Sequence, residues 1–520
     1  MPTPHTVAHH VPPMDDGAAY LALQTHDARF DGRLFVGVTS TGIYCRPVCR
    51  VRLPRRENCR FFPEAAQAEA AGFRPCLRCR PELAPGLALV DSSRSLARSA
   101  SMLLEHLLEA SEDIALPAVA ERLGVTERHL RRIFLAEHGV SPIQWITTRR
   151  LLMAKRLLTD TTLPIAEVAE TAGFGSLRRF NALFQERYRL TPSSLRREQP
   201  NRAADANEGT HLLLGWRAPY DAEAMLGFLG ARPLAGVEAL HQGGWWRTLS
   251  LPGRRGPSQG WLGLRLDARR AAAELTVSPG LVPVLPQVMR RVRHLLDLDA
   301  QPQDIHEALG SLPQARPGLR VPGCMDGFET TVRIILGQQV TVAAGCTLAA
   351  RLVDRLGEDC ATPVPGLTHL FPSPQAVKDA SVDTLGQLGI IRSRISALQA
   401  LATGVLEGRL ALAPGAPVED TLAALRALPG IGDWTCQLVA LRVLAWPDAF
   451  PASDAGVLRA LGTRVPRQAQ AMAESWRPWR AYAVLQLWQG LAASGPTTSC
   501  SRRPSKSSAG AASRSAPPGR

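Results

Sequence analysis

Apolar positions change their spacing several times along this chain, and each change predicts a different kind of structure. From residue 96 to 198 they recur every three or four positions, the period of helices with one buried face. From His211 to Leu298 they shorten to runs such as Leu212-Leu213-Leu214, Trp245-Trp246-Arg247-Thr248-Leu249 and Ala273-Glu274-Leu275-Thr276-Val277, which read as strands, with helices near 221–230 and 283–296. Helical spacing returns from Asp299 to Leu491. Residues 18–82 form a separate unit rich in cysteine and arginine, and the stretches around Pro85–Ser95 and 199–210 read as linkers. The segment 492–520, built from Ser, Ala, Pro and Arg, reads as a disordered basic tail. At 520 residues the chain has room for three or four domains.

The helical stretch 96–198 contains an imperfect repeat. Val119-Ala120-x-x-x-Gly124 returns as Val168-Ala169-x-x-x-Gly173, and Ser141-Pro142 returns as Thr191-Pro192. Each copy is an amphipathic helix, a glycine turn and a second helix, the pattern of a helix-turn-helix. Second helices are expected to begin near Thr126 and Ser176, carrying Arg128, His129, Arg131 and Arg132 on one and Arg178, Arg179 and Asn181 on the other. Arg132 and Arg179 are the candidates for reading bases, although most such residues hold phosphates. The doubled copy resembles the AraC-type DNA-binding domain.

Charge agrees with a polyanionic partner: the net charge is +14 and the pI about 9.9. The tail from Cys500 to Arg520 holds five basic residues and no acid, which leaves +9 on the rest, and only three of the sixty basic residues are lysine. The forked guanidinium suits phosphate and guanine. Met1–Asp16 lacks the charged-then-apolar pattern of a secretory signal, and no apolar run reaches membrane-spanning length. The expectation is a cytoplasmic, nucleoid-associated bacterial protein with no membrane partner and with reduced thiols, so that clustered cysteines point to metal or chemistry.

Cys45-Arg46-Pro47-Val48-Cys49 and Cys76-Leu77-Arg78-Cys79 are two close pairs separated by a loop, the spacing of a four-thiolate zinc site; alone it reads as a closed structural staple. Cys59 lies outside both pairs and reads as a buried thiol. Thr41-Gly42-Ile43-Tyr44-Cys45-Arg46-Pro47-Val48-Cys49, Arg56-Glu57-Asn58 and Ala71-Gly72-Phe73-Arg74-Pro75-Cys76 resemble the N-terminal domain of the Ada family of adaptive-response regulators. The resemblance implies one zinc ion on Cys45, Cys49, Cys76 and Cys79, with Cys45 also accepting a methyl group from DNA methylphosphotriesters, and Thr41, Arg52, Arg74 and Arg78 on the DNA backbone. Arg46, Arg50, Arg52, Arg55, Arg56 and Arg60 crowd this region, and beside a DNA-facing thiolate phosphate contact is their expected role. No Pro-Cys-His-Arg motif is present, so the second methyl transfer of full-length Ada proteins is not expected.

Further on, Leu428-Pro429-Gly430-Ile431-Gly432-Asp433-Trp434-Thr435-Cys436 places a glycine turn between two helical patterns, and Phe450-Pro451-Ala452-Ser453-Asp454 follows one helix later. Such a turn opens free amides toward a phosphate at a helix N-terminus, through Gly430 and Gly432. This stretch resembles the hairpin and catalytic loop of helix-hairpin-helix DNA glycosylases. With Pro219-Tyr220-Asp221, Pro317-Gly318-Leu319-Arg320-Val321-Pro322-Gly323-Cys324 and Arg333-Ile334-Ile335-Leu336-Gly337-Gln338-Gln339-Val340, the resemblance to the AlkA family of DNA-3-methyladenine glycosylases II extends over about 211–491. It implies that Asp454 supplies the carboxylate for cleavage, that Trp434 and Trp488 line a pocket for a cationic base, and that no cofactor serves this reaction. Taken alone, Asp454 reads equally well as a helix cap before Ala455, and Trp488 as core. Leu438 replaces a tyrosine common in the family, and Gln339 stands where the family inserts an apolar wedge. Bifunctional relatives have lysine at position 434; tryptophan implies a monofunctional enzyme that leaves an abasic site.

The expected fold is therefore multidomain: a small α/β zinc domain (18–82), an all-α double helix-turn-helix (96–198), a mixed α/β accessory domain (211–298) and an all-α helix-hairpin-helix glycosylase core (299–491). The expected function joins excision of alkylated bases such as 3-methyladenine to methyl transfer onto Cys45 and methylation-stimulated transcription activation. Double-stranded DNA, alkylated and promoter, is the expected partner, with RNA polymerase a further one for an activator. The competing readings are a regulator whose glycosylase half only grips DNA, and a glycosylase carrying an inert zinc module.

Overall fold

The computed structural model describes residues 16–493 apart from 28–29, 33, 84–88, 110–113, 198–208, 232, 255, 311 and 313–314. These fall into two compact units, with the main division between Arg149 and Arg150 and Glu109 grouped with the second.

In the first unit, α1 (Asp16–Gln24) precedes β1 (Phe35–Val38), β2 (Ile43–Cys45), β3 (Cys59–Phe62), α2 (Ala65–Ala70) and β4 (Arg74–Pro75). The strands form one sheet in the order β3-β1-β2-β4, with β1 antiparallel to both neighbours and β4 parallel to β2. Phe35, Tyr44, Phe62 and Phe73 pack around Ala68. A Cβ at Gly37 would lie 2.9 Å from both Phe62 and Phe73, so glycine is what lets these rings close over β1. Helices α3 (Leu89–Glu109), α4 (Leu116–Arg122), α5 (Glu127–His138) and α6 (Pro142–Asp160) follow. The expected linker Pro85–Ser95 is corrected here: α3 already begins at Leu89. Serine-rich sequence is a weak helix former, but the helix is anchored further along by Ala97, Ala100, Leu104 and Leu107, all buried on one face.

The division between units falls inside α6. Beyond it come α7 (Ile165–Thr171), α8 (Leu177–Tyr188) and α9 (Pro192–Arg197), then β5 (Thr210–Gly215), α10 (Ala222–Gly230), β6 (Glu238–His241), β7 (Gly244–Gly253), β8 (Gly256–Asp267) and β9 (Ala272–Val277). The five strands make an antiparallel sheet in the order β5-β9-β8-β7-β6. The first helix-turn-helix copy has its own core, formed by Leu104, Leu116, Val119, Leu130, Phe134 and Ile146. The second shares its core with the sheet. Val168, Phe180 and Phe184 belong to one apolar cluster with Leu262, Leu275 and Leu281, and α7 packs on the 3-10 turn Pro279–Val284, where buried Thr171 donates to the Val282 carbonyl at 3.5 Å. Arg156 of α6 donates to the Leu213 carbonyl at 2.8 Å.

The remaining helices are α11 (Leu285–Leu295), α12 (Pro302–Leu309), α13 (Gly327–Leu336), α14 (Val342–Leu356), α15 (Pro374–Asp379), α16 (Val382–Gln387), α17 (Arg392–Leu406), α18 (Val418–Arg426), α19 (Asp433–Arg442), α20 (Ala455–Ala460), α21 (Pro466–Met472) and α22 (Arg480–Ala493). They surround a second large core that includes Val332, Leu352, Leu398, Val439 and Val484. A buried four-charge network binds α13 to the sheet: Arg247 of β7 meets Glu329 at 2.6 Å, and Arg333 meets Glu238 of β6 at 3.0 Å and Glu329 at 3.2 Å. Two positive and two negative groups balance, which is the condition under which buried charge is tolerated. Because α22 runs to Ala493, the expected disordered tail starts late at its N-terminal edge, and its remainder lies outside the described residues. The linker expected at 199–210 also falls mostly outside them.

Candidate metal centre and excision site

Sheet pairing builds the cysteine cluster. Parallel pairing of β2 with β4 and the bond from the Cys76 amide to the Tyr44 carbonyl, 3.0 Å, set the two cysteine pairs side by side. The sulfurs of Cys45, Cys49, Cys76 and Cys79 lie within 4.8 Å of one another, and all four residues are buried. Zinc–sulfur bonds of about 2.3 Å require tetrahedral edges of roughly 3.8 Å, so the four-cysteine set fits one Zn²⁺. Hydrogen bonds from Cys45 and Cys79 pull the Cys49 thiol down, while hydrogen bonding and burial push that of Cys45 up; a metal would bind the four sulfurs deprotonated. Cys59 stands apart on β3, its thiol 3.4 Å from the Arg55 carbonyl and pushed up by burial.

The surrounding arginines separate into distinct roles, and for Arg46 this corrects the expectation of phosphate contact. Arg46 has 0% exposure; it forks onto Asp31, with Nε 2.7 Å from Oδ1, and donates to the Cys79 carbonyl at 3.2 Å. It clamps the metal site from inside and is closed to DNA. Arg56 lies over Phe61 and pairs with Asp16, Arg60 covers Phe62, and Arg50 pairs with Glu137 of α5. Thr41, Arg52, Arg74 and Arg78 are exposed, and the three arginines form no ion pair among the described residues.

Both helix-turn-helix copies begin their second helices at the expected residues. Thr126 Oγ1 accepts from the His129 amide at 3.2 Å, and Ser176 Oγ from the Arg179 amide at 3.3 Å, the hydrogen bonds of N-caps. Arg132 and Arg179 are exposed on α5 and α8; the Arg132 side chain also meets the His129 ring at 3.0 Å.

In the second unit the hairpin joins α18 to α19. Gly430 has φ +73°, where a side chain would strain the backbone, while Ile431 is buried and anchors the turn. Gly432 is the N-cap of α19 and supplies no side chain to its first amides, which leaves them open to an anion. Trp434 and Leu438 lie four residues apart on one face of α19, and both are half-buried.

Asp454 is placed by two elements at once. It caps α20, with Oδ1 accepting from the amides of Gly456 and Val457, each at 3.0 Å. The same Oδ1 accepts from Trp488 Nε1 of α22 at 3.0 Å, and Oδ2 accepts from Trp434 Nε1 at 3.0 Å. Four N–H donors therefore fix one carboxylate between two indoles. The expected helix cap is present, and the same carboxylate faces both indoles. A Cβ at Gly456 would come within 3.0 Å of the Trp488 ring, so glycine gives that ring its seat. The loop carrying Asp454 is braced by Arg480, which forks onto Asp448 at 2.6 and 2.9 Å, and by the Phe450 amide, which donates to Gln437 of α19 at 3.0 Å.

Gln339 sits exposed in the turn after α13 at φ +51°. Sequence reasoning missed its neighbour Gln338 and Arg394 of α17. Gln338 Nε2 donates to the Gly430 carbonyl at 3.1 Å and to Thr435 Oγ1 at 2.9 Å, and its backbone carbonyl accepts from Arg394. The doubled Gln338-Gln339 after Gly337 was the available signal.

Family models match in the same order along the chain: the metal binding domain of Ada over 18–82, a helix-turn-helix domain over 119–198, the AlkA N-terminal domain over 211–326, and the HhH-GPD superfamily of base excision DNA repair proteins over 332–480. A Mycobacterium tuberculosis protein named "Probable bifunctional transcriptional activator/DNA repair enzyme AlkA" is 38% identical over 495 residues, covering 91% of this chain and 96% of that protein. The Escherichia coli DNA-3-methyladenine glycosylase 2 is 38% identical over 275 residues, 53% of this chain and 95% of its own. The Escherichia coli bifunctional transcriptional activator/DNA repair enzyme Ada is 36% identical over 133 residues, 25% of this chain and 35% of its own. Full-length identity to the mycobacterial protein and the four matched models agree on one assignment: the chain belongs to the family of bifunctional transcriptional activator/DNA repair enzymes that join an Ada-type zinc module and a helix-turn-helix domain to an AlkA-type glycosylase.

Proposed function

We propose that the chain excises alkylated bases from DNA with its helix-hairpin-helix half and takes methyl groups from DNA methylphosphotriesters onto Cys45, the methylated form activating transcription. The observation that carries the excision reading is the Asp454 carboxylate held between the indoles of Trp434 and Trp488, one helix from the open hairpin.

The target base must leave the duplex before its glycosidic bond is accessible. Gly430 and Gly432 present amides to a phosphate, and Gln339 fills the space that the base vacates. A methylated purine such as 3-methyladenine carries positive charge, which the faces of Trp434 and Trp488 attract; Leu438 sets the pocket's apolar floor. As the bond to the base lengthens, positive charge grows on the sugar, and the anionic Asp454 stabilises it. With tryptophan at 434 there is no amine for a Schiff base, so water completes the reaction and an abasic site remains.

At the other site, zinc when bound keeps its four cysteines as thiolates. The Cys45 sulfur attacks the methyl carbon, the S–C bond forms as the C–O bond breaks, and the phosphodiester leaves with its negative charge. The centre loses one negative charge, so repulsion from DNA falls and binding through Arg52, Arg74, Arg78 and the helix-turn-helix arginines tightens. Activation then brings RNA polymerase as a partner. Among the described residues no helix is long and apolar enough to cross a membrane.

The test is base release from methylated duplex DNA, combined with mass spectrometry of the protein after incubation with methylphosphotriester DNA. Release of 3-methyladenine together with one added methyl on Cys45 supports both halves. No release favours a pure regulator, and no added methyl favours an inert zinc module.

A further inference from the structure

The turn between α13 and α14 holds Gln339 and Val340 exposed at its tip, with Gln339 at φ +51°, a region that residues other than glycine, asparagine and aspartate seldom occupy. Gln339 makes no side-chain hydrogen bond among the described residues, so its own contacts do not hold it there. The restraint comes from the residue before it. The side-chain amide of Gln338 spends both its N–H groups, one on the Gly430 carbonyl at 3.1 Å and one on Thr435 Oγ1 at 2.9 Å. Its backbone carbonyl accepts from Arg394, itself only 8% exposed in the first turn of α17. On the other side Thr341 caps α14 through the Ala344 amide at 3.3 Å. Gln338 thus meets the hairpin turn, the residue next to Trp434, and α17.

We propose that Gln338 is a positioning residue that locks the gap-filling turn to the phosphate-binding hairpin, so that the hairpin's hold on the backbone sets the depth at which Gln339 enters the duplex. The inference rests on the excision reading of this site. Chemistry selects glutamine: a glutamate would turn an acceptor toward the Gly430 carbonyl, and an asparagine is one methylene too short for both partners. Without the tether, Gln339 relaxes from its strained conformation and the turn moves away from the hairpin.

The experiment compares release of 3-methyladenine from methylated duplex DNA and from the same strand unpaired, using the full chain and its Gln338→Met and Gln338→Glu variants. An unpaired strand has no gap to fill. The expected result is a loss on duplex at least tenfold greater than the loss on single strand for both variants, while Asp454→Asn falls equally on the two substrates. Equal losses on the two substrates, or none on either, overturn the proposal. Thermal unfolding of each variant separates mispositioning from misfolding, since a variant that loses duplex selectivity with an unchanged midpoint has lost position alone. If the unaltered chain releases no base from either substrate, the excision reading itself fails, and this proposal with it.

Discussion

Replacing Asp454 by asparagine separates the two roles that the structure gives this side chain. Asparagine is as good an N-cap as aspartate, so an amide oxygen on the Oδ1 side still accepts from Gly456, Val457 and Trp488. The amide nitrogen must then take the place of Oδ2, where Trp434 Nε1 points at 3.0 Å, and two donors face each other. An indole N–H left without an acceptor costs about 1–3 kcal/mol. Removing a unit negative charge about 4 Å from a developing oxocarbenium ion costs about 4 kcal/mol at the effective dielectric of a partly screened site. The charge alone corresponds to a roughly 10³-fold slower step, and the misplaced Trp434 slows it further. Single-turnover release of 3-methyladenine at saturating protein measures the step without interference from product release. Because the cap survives, Asp454→Asn should lose only the roughly 1–3 kcal/mol of the unpaired indole in thermal unfolding, whereas Asp454→Ala loses the cap as well, about 1 kcal/mol more. A variant Asp454→Asn that retains its rate within tenfold, or one whose loss follows unfolding, refutes the assignment of the carboxylate.

Three further outcomes follow from the same geometry. Burial pushes Asp297 up to about 6 from 3.8, against the hydrogen bond from Tyr482 at 2.8 Å; its stabilising contribution is fully present below pH 4 and is lost as pH rises through 6, up to roughly 3 kcal/mol, so Asp297→Asn should gain on the unaltered chain across that window in urea unfolding. Arg46→Met strands the buried Asp31 charge at a cost of about 3–5 kcal/mol and should release zinc to a colorimetric chelator, whereas Arg52→Ala should keep the metal and lose DNA affinity. Gly430→Ala meets no crowding, its nearest neighbours being 3.7 Å away, but the positive φ costs about 1 kcal/mol; anisotropy with undamaged duplex at fixed salt should show binding several-fold weaker.

What could be read in the sequence was what local chemistry dictates. The caps at Thr126 and Ser176, the glycine hairpin at 430–432 and the two cysteine pairs each follow from short spacings, and the structure places all of them as expected. Partnerships across long stretches of chain were hidden. Arg46 looked like one basic residue among several until Asp31 and Cys79 enclosed it. The pairing of Asp448 with Arg480, and of Gln338 with Gly430 and Thr435, depends on which helices become neighbours; the doubled Gln338-Gln339 marks a turn without naming its partners. The start of α3 was missed for the opposite reason: its serine-rich opening follows weak local preference, and the helix is held from further along by Ala97, Ala100 and Leu104.

The two helix-turn-helix copies are near-repeats in sequence, yet they belong to different cooperative bodies. Phe180 and Phe184 of the second copy lie in the cluster that contains the sheet residues Leu262 and Leu275, while Leu130 and Phe134 of the first lie in a cluster of their own. Heating should therefore melt them in separate transitions, with the second copy following the accessory sheet. Amide exchange would show α8 protected as long as β8 and β9 persist. At this seam a helix-turn-helix copy and the accessory sheet share one apolar core, so what destabilises the sheet should also loosen the second copy's hold on DNA.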